Sequence, residues 1–458
     1  MSRGLGRLQM VTGFVALGVT PLLMLAGYNV FGLYAASNIG LQGYPADYLQ
    51  GVIAALLLLV LIVFWPVSAG HRQVLALLWL VRTGMTLGVM IAYEAFYPGD
   101  MIRYYHEGLS LSHPLGFFEF GDGTRNMAAL YGVMSEASTS YNAIKVMFSY
   151  IGLIAVYVLY RATTICLGHD RLALLYILGL FPSLLLWSSF PGKDPVVLLG
   201  IALFSYGAAG IIVRQRWSML IWVVLGLALA ASIRIWLGII FVTPLIFTYV
   251  IASRTPVTAK VAFLIVAAPG LLLALQGFVG QFRIESAEDL VQTTDALSSA
   301  WAHGGSAQQI QGGFESLAAM LAFMPIGAFS ALFRPLPFEV TSPFAVIAGF
   351  ENALILLLLL RGLVRRGFGW LRQPVLLWAA ATLVAWAAVY GFVAYQNLGT
   401  AFRWRSQVTP ILLLLILYLN YAHHLKDEVH ARLRRRPVQA GAASGAGPAP
   451  PAPEGGPA

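Results

Sequence analysis

The residues best suited to chemistry gather around one short stretch, 181–195, which reads FPSLLLWSSFPGKDP. An apolar run closes in Trp187, Ser188 and Ser189, turns through Pro191 and Gly192, and presents Lys193 beside Asp194. A second apolar run, 196–213, begins at once. This pattern predicts a helical hairpin whose tip carries an adjacent cation and anion at the water boundary. Solvation of the turn alone would explain a charged tip. Comparable cations recur, however: Arg234 lies between two apolar runs, Arg334 in LFRPLPFEVTSPF, and Arg403 and Arg405 in NLGTAFRWR. A guanidinium fork binds two phosphate oxygens at once, and a lysine offers the same anion a point charge. Carboxylates accompany these cations. Asp100 and Glu107 fall with Arg103 and His106 in YPGDMIRYYHEG, Asp194 adjoins Lys193, and Glu339 follows Arg334. Transfer from a phosphorylated donor needs cations to receive the departing phosphate and a base to activate the acceptor hydroxyl. Asp100 or Glu107 is the expected base, and Asp194 and Glu339 complete the set of candidate catalytic carboxylates. Lys193, Arg103, His106, Arg234, Arg334, Arg403 and Arg405 are the candidate substrate-binding residues. Glu351, in GFENALIL, is expected to pair with an arginine or to cap a helix contact, and Arg82, which shares the third apolar run with Glu94, to form a structural pair or to snorkel rather than to act as a catalyst.

A membrane-embedded helical frame must position these groups. Hydrophobic residues make up 59% of the 458 and charged residues only 10%, against roughly 25% charged in soluble domains. Repeated apolar runs of about 20 residues read as membrane spans, and spans whose backbone must satisfy itself in lipid are helices. The expected fold is therefore an all-α, polytopic membrane protein of about twelve spans. They fall at 11–36, 50–67, 74–95, 143–162, 171–190, 195–213, 217–232, 235–252, 259–277, 342–360, 374–395 and 406–422. Arg3 and Arg7 place the N-terminus in the cytoplasm, and the loops that then fall inside hold Arg72, Arg161, Arg171, Arg214, Arg216, Arg254, Lys260, Arg361, Arg365, Arg366 and Arg372. Both termini are then cytoplasmic. The apolar segment 316–333 breaks the alternation if it spans, so a re-entrant or surface-lying segment is expected there, broken at Pro325 and Gly327.

The chain divides into an N-terminal three-helix membrane segment, 1–95, a first external loop, 96–142, and central membrane helices, 143–277. A large external loop with the re-entrant segment, 278–341, and C-terminal membrane helices, 342–425, follow, and 426–458 is an Arg-, Pro-, Ala- and Gly-rich tail expected to be disordered in the cytoplasm. On this topology Lys193, Arg234, Arg334, Arg403 and Arg405 all lie outside, against the orienting rule and at one membrane level. Each arginine alone could be snorkelling to lipid headgroups. Together, beside Trp187, Trp236, Phe338 and Trp404, they suggest an anion held at the outer interface, at the depth of a pyrophosphate on a polyprenyl lipid.

Other classes are excluded or unsupported. One cysteine, Cys166, allows no internal disulfide or thiolate metal cluster, and His106 has no His or Cys partner at ligand spacing. No Asp-x-Asp, no phosphate-binding Gly-x-x-x-x-Gly-Lys loop, no Gly-x-Ser-x-Gly elbow and no His-Glu-x-x-His pair occurs. No metal and no cofactor is expected. The net charge of +9 belongs to loops and tail rather than to a nucleic-acid surface.

FPSLLLWSSFPGKDP, LFRPLPFE…FEN and NLGTAFRWRSQVTP together resemble segments of bacterial multi-span proteins of exopolysaccharide and O-antigen assembly. In layout the chain is similar to Wzy-type polysaccharide polymerases and, more broadly, to lipid-linked GT-C glycosyltransferases, over roughly residues 90–420. The resemblance implies a glycosyltransferase of the inner membrane that moves a growing glycan from undecaprenyl pyrophosphate onto another lipid-linked unit at the outer face. It implies external-loop arginines as the binding groups, and lipid-linked glycan, bilayer and other polysaccharide-assembly proteins as partners. Two departures stand out: Asp100 follows the third span rather than the first, and the large external loop is poorer in arginine than the polymerase pattern. A GT-C transferase using a polyprenyl-monophosphate sugar, and a lipid-glycan flippase, remain the alternatives.

Overall fold

The computed structural model describes residues 2–97, 99–252, 255–302, 307–308, 313–339 and 343–420. Among the described residues the chain is helical throughout, with one isolated bridge between Ala307 and Asn397. The first long apolar helices are α1 (Gly6–Ile39), α2 (Tyr44–Val63) and α3 (Ala69–Phe96). π-helical turns at Val15–Val19, Gly27–Phe31 and Met85–Val89 interrupt α1 and α3 without breaking them. Two shorter helices, α4 (Asp100–Leu109) and α5 (Gly123–Ser135), occupy the segment read as a first external loop. Asp122 caps α5 by accepting from the backbone amides of Thr124 and Arg125.

Helix α6 (Tyr141–Leu167) begins where Asp47 of α2 accepts from the amides of Tyr141 and Asn142, at 2.9 and 3.2 Å. The fifth apolar run is two helices, α7 (Leu172–Leu180) and α8 (Pro182–Ser188), because Pro182 holds Phe181 extended. Then come α9 (Lys193–Arg214), α10 (Leu220–Ile233), α11 (Trp236–Ala252), α12 (Val257–Phe282) and the solvent-facing α13 (Ala287–Trp301). The chain continues through α14 (Leu317–Phe333), α15 (Pro343–Arg366), α16 (Pro374–Ala394), α17 (Leu398–Arg405) and α18 (Thr409–Asn420). Eight of these (α1, α2, α3, α6, α9, α12, α15 and α16) are long and apolar enough to cross a membrane, and α10, α11, α14 and α18 are apolar but shorter. The polytopic, all-helical architecture is as expected; twelve full-length spans are not reached by length alone.

The core forms where α9 packs along α6 and α10 and where α16 packs along α11 and α14. Trp79, Trp378 and Trp386 are among its largest buried side chains. Three expectations are corrected. The segment 316–333 does not break at Pro325 and Gly327: α14 runs through both, because a single proline removes one ladder bond and Gly327 allows the backbone of α16 at Gly391 to approach closely. Glu94 does not pair with Arg82; its carboxylate accepts from Lys145 Nζ at 2.8 Å and from the Tyr141 hydroxyl at 2.9 Å, all three buried. Lys193 and Asp194 do not stand on a solvated tip, for they are the first residues of α9 and Asp194 is buried. Arg254 and 421–458, the expected disordered tail included, lie outside the described residues.

Candidate functional site

Asp194 is the centre of the site. Its side chain is 3% exposed, and Oδ2 accepts from Arg403 Nε at 2.7 Å while Arg403 Nη2 stands 2.7 Å from the same oxygen. Arg234 Nη2 lies 3.9 Å from Oδ1. Placing an acid in the first turn of α9 suits the positive end of that helix. Arg403 projects from the last turn of α17 and also stacks over Trp187 and Phe190, 5.4 and 4.7 Å from the ring centroids. Burial works against its charge, but the neighbouring carboxylate prevails and raises the affinity of the guanidinium for its proton. Arg234, at the C-terminus of α10, lies 5.2 Å from the Trp404 centroid. Its Nη1 is buried and has no hydrogen-bond partner among the described residues. That leaves one unpartnered donor in a group of three cations and one buried carboxylate.

Helix α5 locks these parts together. Tyr131 donates to the Pro191 carbonyl at 2.6 Å, fixing the turn before Lys193. Asn126 donates to the Ser232 carbonyl at 2.8 Å, fixing the bend that carries Arg234. Thr124 Oγ1 accepts from Lys193 Nζ at 3.1 Å, and the same ammonium lies 5.6 Å from the Tyr104 centroid of α4. Asp100, at the start of α4, is exposed and makes no hydrogen bond or ion pair with the described residues. Its charge acts at a distance on Lys193, Arg403 and Tyr104. Lys193, Arg234 and Arg403 against Asp194 leave two surplus positive charges, and Asp100 remains open to solvent beside them.

A cavity of about 1000 Å³ runs from this cluster between α10, α11 and α12. Its walls are mostly apolar, including Leu227, Ala231, Val242 and Leu273, and Lys193, Thr124, Asp122 and Glu119 also line it. Val266 and Leu273, both exposed apolar residues of α12, contribute to it. A mostly apolar lining with a few polar and charged groups suits an amphiphilic ligand.

The remaining predicted residues lie elsewhere. Arg334 donates from Nε to both oxygens of Glu339, at 2.9 and 3.1 Å, and from Nη2 to Gln308 at 3.1 Å. Arg405 is fully buried; it donates to the Leu332 carbonyl at 3.0 Å and to Asn352 Oδ1, and lies 3.9 Å from Glu351. Glu351 also accepts from the Ser183 amide at 2.9 Å, so it both pairs with an arginine and caps a helix. Arg103 and Glu107 form an exposed pair at 2.6 Å, one turn apart on α4. His106 donates from Nε2 to the Ile39 carbonyl at 2.7 Å and ties α4 to the end of α1. Five cations expected to act together thus separate into three around Asp194 and two engaged in other contacts. Sequence reasoning missed Thr124, Tyr104, Tyr131 and Asn126, and the cavity between α10 and α12. Small residues such as Ala228, Ala231, Gly238 and Gly270 along apolar runs were the available signal for that cavity. Neither protein-family models, nor curated proteins, nor solved structures contain a match to this chain.

Proposed function

We propose that the chain is a polymerase-type glycosyltransferase of bacterial surface-polysaccharide assembly. It transfers glycan from undecaprenyl pyrophosphate to a lipid-linked acceptor at the outer face of the inner membrane, with twelve spans and both termini cytoplasmic. The observation that carries this reading is a mostly apolar cavity that Lys193 helps to line, together with the unpartnered Arg234 Nη1 and the Asp194–Arg403 pair. A lipid tail leaving the bilayer for this cavity gains little, since lipid is as apolar as leucine. Affinity must then come from the charged head, and the cavity contributes orientation and chain shape.

In the proposed reaction the polyprenyl pyrophosphate head lies against Lys193, Arg234 and the outer edge of Arg403. Asp100, exposed and unengaged, takes the proton of the acceptor hydroxyl as that oxygen bonds the anomeric carbon. The glycosidic phosphate bond breaks, and the lipid pyrophosphate leaves with charge that the cations balance. Asp194 holds the two arginines apart and in register. The single-sugar alternative, a GT-C transferase with a polyprenyl-monophosphate donor, draws on the same Asp100. Deletion of the gene followed by gel analysis of lipid-linked and surface glycans separates the readings. Collapse of a ladder to one lipid-linked repeat unit supports the polymerase, and a truncated repeat unit supports the single-sugar enzyme. Complete units retained on the cytoplasmic side favour a flippase and would overturn both.

A further inference from the structure

Arg82 lies at the middle of α3, a 28-residue apolar helix, and is completely buried. No carboxylate stands within ion-pair distance of it among the described residues, and the acid on its own helix, Glu94, is taken by Lys145. A cation at the centre of a membrane span costs about 2.5–3.5 kcal/mol even on insertion-based scales, so such a group persists where something answers it. The end of α8 answers one nitrogen of Arg82, while Nε and Nη1 have no hydrogen-bond partner among the described residues. Its Nη2 donates to the Ser188 carbonyl at 2.7 Å, to Ser188 Oγ at 2.9 Å and to the Ser149 carbonyl of α6 at 3.3 Å. The last carbonyls of a helix have no partner within it, and hydrocarbon supplies no water to replace one.

Ser188 is the last residue of α8 and is followed by the turn 189–192 that delivers Lys193 and Asp194. Within that turn the backbone bonds are few: Ser189 N to Leu186 O at 3.1 Å, Phe190 N to Trp187 O at 3.4 Å and Gly192 N to Phe190 O at 2.9 Å. From outside, two side chains grip its carbonyls, Arg82 at Ser188 and Tyr131 at Pro191. Gly152 of α6 completes the seat, because a Cβ there would collide with both the Ser188 carbonyl and the Arg82 guanidinium.

We propose that Arg82 is a positioning residue for the Lys193–Asp194 site, its guanidinium fixing the exit of α8 and through it the placement of both charges against Arg403 and Asp100. The inference rests on the reading that this cluster is the functional site. It assigns to a membrane-buried arginine without a counter-ion the task of satisfying a helix end rather than binding substrate.

The test uses Arg82→Lys, Arg82→Gln and Arg82→Met in full-length protein in lipid nanodiscs, with Gly152→Ala pressing on the same carbonyl from α6. Amide hydrogen exchange is followed in 186–193, together with kcat and KM on a lipid-linked repeat unit extracted from a deletion strain. Arg82→Met should accelerate exchange in 186–193 at least tenfold while 141–167 stays protected. It should lower kcat tenfold or more while KM rises less than threefold, because two of the three cations that meet the head group, Arg234 and Arg403, stand on α10 and α17 rather than on the turn. Arg82→Lys, which keeps a charged donor, should recover a large part of both; Arg82→Gln gives the same comparison if the methionine variant does not accumulate. Unchanged exchange in 186–193, or an even rise through α3, α6 and α8, would overturn the inference, as would equal losses in kcat and KM. A wild-type protein inactive on every lipid-linked donor would instead sink the functional reading, leaving the exchange result to decide the role of Arg82.

Discussion

Removing Arg403 should expose how much the site depends on charge balance. In Arg403→Met, Asp194 Oδ2 loses the hydrogen bond from Nε and the contact with Nη2, each at 2.7 Å, and keeps only Arg234 at 3.9 Å from Oδ1. The carboxylate is 3% exposed, so water does not replace those contacts. Breaking a buried pair from one side costs about 3–5 kcal/mol. The remaining arginine and the 26% exposure of Arg403 place this case near the lower end, about 3 kcal/mol. Asp194→Asn should cost less, about 2 kcal/mol, because Arg403 then reaches solvent. The double variant loses the charge and its counter-charge together, so the two changes should couple by about 2 kcal/mol. Reversible unfolding in mixed micelles measures all four forms. Additivity within about 0.5 kcal/mol, or a cost for Arg403→Met below about 1 kcal/mol, would mean that the pair is a solvated contact and that Asp194 does not organise the site.

Other changes separate binding from chemistry. Asp100→Asn should abolish turnover while leaving association with undecaprenyl phosphate, followed by native mass spectrometry, within about threefold, since the group is exposed and unengaged. Ala231→Phe narrows the cavity and should raise KM for a long-chain donor at least tenfold while sparing a short, soluble isoprenyl analogue; equal effects on both would remove the tail from the cavity. Arg405→Met should destabilise the fold by about 3 kcal/mol, in the range for a broken buried pair, because it strands Glu351 and Asn352. Whatever folded protein remains should transfer normally, as steady-state assays at reduced temperature would show.

The fold class was legible because composition and run length point to apolar helices, and most helix boundaries follow from where apolar runs stop. The kinship of Lys193, Asp194, Arg234 and Arg403 was legible too, since each is a charge set against a span end. What the sequence does not carry is pairing. Arg334 looks like Arg234 in its setting, yet a carboxylate five residues on, Glu339, engages it. Arg405 lies two residues from Arg403, but 200° round a helix of 3.6 residues per turn it points into protein, towards Asn352 and Leu332. Pro325 read as a break and is a tolerated interior proline, because α16 packs against that helix. The role of Tyr131 and Asn126 was out of reach, for it depends on α5 lying between two distant turns, 60 and 106 residues away in sequence.

The most direct test is transfer by the purified protein itself. The wild type is incubated in nanodiscs with lipid-linked repeat unit, and released undecaprenyl pyrophosphate is counted against new glycosidic links. One lipid pyrophosphate should be released for each link formed by the wild type, and none above background by Asp100→Asn or Arg403→Met. No release by the wild type, or equal release by Asp100→Asn, would contradict the proposed transfer.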